Sequence, residues 1–187
     1  MVSTPIYLVK EEYEKNLISS LIYSLSELEN INSISILIEN KPFLVLPNSK
    51  EVLPNILDKS FGINKEYNIE NILNTVNITS YYVKKNTDNT LYYVPITKAS
   101  NTPKEKIEII INELKTVPIN KSNFISYLNA SYELNNYEIL ENSIAISFNN
   151  KILANLKDEN IIEIAKYCLS LSIRDTYNID NVNIIVN

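Results

Sequence analysis

The chain has 187 residues, 45% of them apolar, and a formal net charge of −5 from 17 basic and 22 acidic side chains. That is enough to bury a core in one large or two small domains without metal or disulfide staples. The acidic balance, the single arginine (Arg174), the lack of histidine and the single glycine (Gly62) argue against nucleic-acid binding, His-based catalysis or zinc ligation, and Gly-rich phosphate loops.

In chain order, Leu17, Ile18, Leu21, Ile22, Leu25 and Leu28 recur at three- and four-residue spacing and predict an amphipathic helix over 11–29. Residues 32–39 alternate, which places Ile34, Ile36 and Ile38 on one face of a strand. A turn at Asn40-Lys41-Pro42 then returns Phe43 to Leu46 as a short strand. Weak periodicity over 58–74 reads as a linker. Beyond it, 76–84 and 90–97 form a hairpin around a four-residue loop, Asn86-Thr87-Asp88-Asn89. Centred there, the hairpin puts Tyr81, Val83, Tyr92, Val94 and Ile96 on the core face. Tyr82 then stands opposite Tyr93 on the other face.

Thr102, Pro103 and Glu105 form a capping-box start for a helix that runs to about Lys115, with Ile107, Ile110, Ile111 and Leu114 inward. The segment 119–131 is open between loop and a helical turn through Phe124, Ile125 and Leu128. A second hairpin joins 132–140 to 143–148 across Glu141-Asn142. Asp158 caps a helix over 159–174, and 181–186 is the last strand. The expected fold class is α+β, with helices packed on a largely antiparallel sheet in the order β-β-α-β-β-α-β. The expected division is a helix–strand–strand unit over 1–57, a linker over 58–74 and a complete domain over 75–187. An internal repeat supports it: Leu17-Ile18, Tyr23 and Leu25-Ser26 match Ile161-Ile162, Tyr167 and Leu169-Ser170, and Ile31, Ile34 and Ile36 match Ile179, Val182 and Ile184.

Little in the chain points to chemistry. Glu11, Glu12, Glu14, Asp158 and Glu159 sit at predicted helix N-termini, where carboxylates favour the dipole. Cys168, in an apolar helix with no histidine in the chain, reads as an inert buried thiol. No catalytic residue, metal ligand or cofactor site is assigned. The Tyr82–Tyr93 pair is the candidate partner-binding feature, because tyrosine is enriched at interfaces. The richness in Asn, Ile, Lys and Tyr matches AT-rich codon usage and needs no functional reading.

The segment Leu91-Tyr92-Tyr93-Val94-Pro95-Ile96-Thr97-Lys98, followed by a helix and a proline, resembles the GerM domain family. So does the later hairpin with Ile144-Ala145-Ile146-Ser147-Phe148, followed by an amphipathic helix and the strand from Val182 to Val186. The match covers about 75–187, and 6–46 resembles the second half of another copy. The resemblance implies a ring-building-motif-like fold and a non-enzymatic role in sporulation or spore germination through contacts with other envelope proteins. Support of a mother cell–forespore channel complex and homo-oligomerisation are among the implied contacts. It also implies a lipoprotein or membrane anchor upstream of Met1; the chain as given shows no signal peptide and would otherwise be cytoplasmic. The rival expectation is a carboxylate-dependent cell-wall glycan hydrolase, which needs two close carboxylates in a cleft.

Overall fold

The structure is a computed structural model that describes residues 8–66, 75–118, 123–128, 130–149 and 159–186. Asp158 and the segments 67–74 and 119–122 lie outside the described residues. The chain divides into two compact units, Met1–Asn64 and Lys65–Asn187. The division falls within the segment read as a linker. Residues 58–64 belong to the first unit, where Asp58 caps a 3-10 turn, Lys59–Phe61, by accepting the Ser60 N–H at 2.8 Å.

In the first unit, α1 (Glu11–Ser26) presents Ile18 and Ile22 to a small core completed by Leu46, Leu53 and Leu57, with Ile34, Ile36, Phe43 and Phe61 packed around it. The expected strand over 32–39 shrinks to β1 (Leu37–Ile38), paired with β2 (Lys41–Pro42). The turn is Glu39-Asn40, both at positive φ as a two-residue type I′ turn requires, one position earlier than expected. Ile34 and Ile36 pack inward, but Ile38 faces solvent. Alternation alone did not extend the ladder because Ile34 pairs instead with Leu57, in an isolated bridge. The returning segment likewise yields only a bridge, Val45 to Val52.

Glu14 is the chemical keystone of this unit. It is fully buried, and its carboxylate accepts the Asn48 N–H (2.9 Å), the Asn48 Nδ2 (2.8 Å) and the Ser49 N–H (2.8 Å). Burial pushes its pKa up, but the bonds from Ser49 and Asn48 outweigh that and leave it below the ordinary value. A carboxyl with a lowered folded pKa gives stability that is complete above its unfolded pKa and is lost as pH falls through the folded one. Acid titration followed by amide exchange should therefore loosen the 46–53 turn only at pH values below the ordinary glutamate range. Glu14→Gln should loosen it already at neutral pH and abolish the acid step. An unchanged acid step in that variant contradicts the assignment.

The second unit holds β3 (Val76–Lys85), β4 (Leu91–Ser100), α2 (Lys106–Leu114), β5 (Phe124–Ile125), β6 (Leu134–Leu140), β7 (Ser143–Phe148), α3 (Glu159–Tyr177) and β8 (Asn181–Val186). The expected α+β order is present, with the short β5 added. The strands form two three-stranded sheets, β4-β3-β5 and β6-β7-β8, antiparallel except that β8 runs parallel to β7. A parallel pair needs a crossover, and α3 supplies it. The four inward residues expected of α2 are all buried. They share one core with Ile78, Tyr82, Ile96, Ile144, Ile146, Phe148, Leu169 and Ile173.

Three local devices hold this unit together. β5 pairs with β3 only at Val83 and Lys84, and α3 covers part of the edge left open. There Ser172 Oγ accepts the Tyr81 N–H at 2.9 Å, and Thr176 Oγ1 accepts the Thr79 N–H at 3.1 Å while donating to the Thr79 carbonyl at 3.3 Å. The expected capping box at Thr102 does not form, because Ser100 Oγ lies 3.0 Å from its hydroxyl. Helix α2 starts three residues after Pro103, and Tyr177 of α3 caps it, its hydroxyl oxygen accepting the Ile107 N–H at 3.1 Å. Finally, α3 ends in a Schellman motif: Asn178 has φ 53°, and the Ile179 N–H donates to the Arg174 carbonyl. Asn30, Asn40, Asn64, Asn89 and Asn178 all take positive φ. In a chain with one glycine, asparagine fills these left-handed positions, so its abundance has a structural use beyond codon bias.

Candidate interaction surface

The first hairpin decides where its tyrosines go. Its loop closes with Asn86 and Thr90 paired (Asn86 N–H to Thr90 O, 2.8 Å) around Thr87, Asp88 and Asn89. Asn89 has φ 68°, the left-handed residue that follows a type I turn in a three-residue loop. Asp88 accepts the Thr90 N–H at 2.9 Å and the Thr90 hydroxyl at 2.6 Å, which stiffens the loop. The ladder is therefore one residue away from the expected register. Tyr82 pairs with Val94, and Val83 pairs with Tyr93. A slip of one residue exchanges the faces of a strand.

Tyr82 and Tyr93 are thus not a cross-strand pair. Tyr82 is 1% exposed, in the core with α2, its ring edge-on to Phe124 at 6.1 Å and its hydroxyl 3.3 Å from the Glu113 carbonyl. Burial first, then the Glu113 carboxylate, raises its pKa far above the usual phenol value. Tyr93 is half-buried on the other face, where its ring stacks on Tyr167 of α3 at 5.3 Å between centroids. Burial, reinforced by Cys168 and Tyr167 nearby, raises its pKa too.

Tyr167 is the residue that periodicity missed. It stands 57% exposed on α3, outside the buried stripe of Ala165, Leu169 and Ile173. Its counterpart in the proposed repeat, Tyr23, is 7% exposed, so that pairing of residues is not matched by burial. Tyr167 also borders a groove of about 300 Å³ between α3 and β8, lined with Leu171, Arg174, Asp180, Val182 and Asn183 among others. Leu91, 42% exposed and two residues from Tyr93 on the same face of β4, extends the apolar surface, whereas Tyr92 lies on the opposite face of the sheet with Lys84 over its ring. Together these side chains give a tyrosine-rich strip next to a shallow groove, the composition that favours protein contact.

Chemistry finds little footing here. Cys168 is buried, and burial pushes its thiol up to about 12, so almost none is thiolate near neutral pH. The cavity beside it is about 10 Å³, room for no more than one water. Asp175 is buried among partners: it accepts from the Tyr81 hydroxyl, and Arg174 Nε lies 3.2 Å from its Oδ1. Glu66 and Glu113 both reach Lys98, at 3.7 and 2.5 Å, in an ion-pair group that ties β4 to α2. Among the described residues no cluster of three or more His, Cys, Asp and Glu is placed to hold a metal. No helix of the described residues is long and apolar enough to cross a membrane.

The fold is similar to that of tandem GerMN domains. It aligns with a solved structure described as the tandem GerMN domains of the sporulation protein GerM from Bacillus subtilis, with a TM-score of 0.83, 23% identity, and coverage of 97% of this chain and 64% of that one. In sequence the chain is similar to the spore germination protein GerM of Bacillus subtilis (strain 168), 26% identical over 184 residues, or 95% of this chain. The chain spans about half the length of that curated relative. No family model matches it. The GerM resemblance read from residues 91–98 and 144–186 thus holds for nearly the whole sequence and for the fold.

Proposed function

We propose that this chain is a non-enzymatic, envelope-associated protein of sporulation or spore germination that works through protein–protein contacts, with the Tyr93–Tyr167 strip as a contact surface. The similarity to GerM along 95% of the chain carries this reading. The buried carboxylates and the thiol support the non-enzymatic part, because each is committed to holding structure. Glu14 fastens a turn and Asp175 binds Tyr81 and Arg174, in two different units. A glycan hydrolase requires two acids facing each other in a cleft, whereas the groups that hold Glu14 and Asp175 here are amides, a hydroxyl and a guanidinium. On this reading the contacts made at the envelope support the complex that joins mother cell and forespore. Deletion of the gene in its host tests the role: spore yield or germination should drop, and a normal yield of normally germinating spores would contradict it.

A further inference from the structure

The two helices matched by the repeat, α1 and α3, bury opposite faces. With Leu17 on Ile161 and Tyr23 on Tyr167, Leu21 stands where Ala165 does and Ser24 where Cys168 does. Leu21 is 43% exposed and Ser24 is exposed, whereas Ala165 and Cys168 are each 7% exposed. In the other direction, the buried Ser19 and Tyr23 match the exposed Glu163 and Tyr167. Counting back instead from the asparagines at positive φ that follow the helices, Asn30 and Asn178, moves the match by one helical turn and keeps the faces. Leu17, Ser20, Leu21 and Ser24 then fall on Ala165, Cys168, Leu169 and Ser172, all exposed in α1 and all buried in α3.

The exposed face of α1 also has the wrong composition for a face that stays in water. Tyr13, Leu17 and Leu21, all exposed, follow one another at four-residue spacing, with Ser20 and Ser24 beside them. From Asn16 to Ser26 the helix carries no charged residue. The outward side of α3, by contrast, carries Glu163 and Lys166, paired at 2.9 Å. A surface helix keeps its charges on the side that faces water, and an uncharged apolar row there marks a contact.

The second unit displays what such a face takes. There it packs on β3, where Ser172 accepts the Tyr81 N–H at the strand edge and Ala165 and Cys168 lie against Tyr81, Tyr82 and Ile125. We infer that the exposed face of α1 takes the same kind of occupant from another protein: the open edge of a β-sheet, with Ser24 accepting a strand N–H as Ser172 does and Leu17 and Leu21 covering the apolar side chains beside it. In a second copy the matching edge is already covered by its own α3. A lipid surface is disfavoured because α1 opens with the exposed acids Glu11 and Glu12, where a membrane-surface helix is basic. The surface lies in the first unit, so the inference needs neither the Tyr93–Tyr167 strip nor the sporulation role.

Photo-crosslinking in the host tests it, with the photo-reactive amino acid benzoylphenylalanine at position 17 of the full chain. Irradiation should give a protein adduct, and mass spectrometry of the adduct should place the joined residue on an outer strand of a β-sheet in the partner. Leu21→Asp, which charges the centre of the face, should abolish the adduct while the urea midpoint of the chain stays unchanged. Ser20→Lys, which removes no apolar side chain, should abolish it too and serves as the deciding variant where Leu21→Asp lowers the midpoint. No adduct, or an adduct that persists in both charged variants, overturns the proposal. An adduct on lipid, on a wholly helical partner, on a second copy or on the second unit of the same chain overturns it equally.

Discussion

Tyr82→Ala should destabilise the second unit by about 3–5 kcal/mol, the range for truncating a fully buried aromatic side chain. Tyr93→Ala should cost only about 0.5–1.5 kcal/mol, the scale of one aromatic pair at a partly wet surface. The contrast follows from the one-residue register of the hairpin. Tyr82 fills the core with Ile78, Ile96 and α2, and the cavity left by its ring has no solvent to enter it. Tyr93 loses its stacking on Tyr167 and little else. Against a total of about 5–15 kcal/mol for a domain, the first change removes roughly a fifth or more of the stability. Urea denaturation of both variants measures the difference. Equal losses would mean that the two tyrosines share an environment and that the register is wrong.

The double change Ser172→Ala and Thr176→Ala should cost about 1–3 kcal/mol for each hydroxyl removed. These hydroxyls do the work of a neighbouring strand along the edge of β3. Ser172 Oγ accepts from the Tyr81 N–H and donates its one hydrogen to the Cys168 carbonyl at 2.6 Å, and Thr176 exchanges two bonds with Thr79. Without them the backbone groups of Thr79 and Tyr81 lose these partners on α3. Ser170→Ala, on the groove side of the same helix, serves as the control and should change stability by no more than about 0.5 kcal/mol. If the double variant melts with the control, the edge is satisfied in some other way.

Where packing follows periodicity, the fold was legible in the sequence. The isoleucines of α2 recur with the helical period and are buried, and the tight turn at Glu141-Asn142 joins β6 to β7 where expected, Leu140 opposite Ser143. Illegible features depended on distant partners or on one backbone angle. Thr102 has the residue pattern of a cap, but the group that serves α2 is the hydroxyl of Tyr177, 70 positions along the chain. Ile34 to Ile38 alternate as a strand should, yet Ile34 bridges to Leu57, a residue no local pattern selects. The hairpin register turned on Asn89 standing where glycine is usual, which shortens the loop by one residue and sends Tyr82 inward.

The candidate surface was half legible for the same reason. Tyr93 was placed on an accessible face, but its companion is Tyr167 and not Tyr82. One signal for Tyr167 was present: a large aromatic side chain falls between the core positions Ala165 and Leu169, off the stripe that buries them. An aromatic residue off the buried stripe of an amphipathic helix has no core to fill, and here it covers a strand edge residue and borders a groove.

The most direct test of the contact account is complementation of the deletion strain with the Tyr93→Ala, Tyr167→Ala chain, scored by spore yield and germination with protein level monitored. The account predicts a folded protein present at normal level that fails to restore the phenotype. Full restoration would contradict it, because it would show that the exposed tyrosine strip is not what the protein works through.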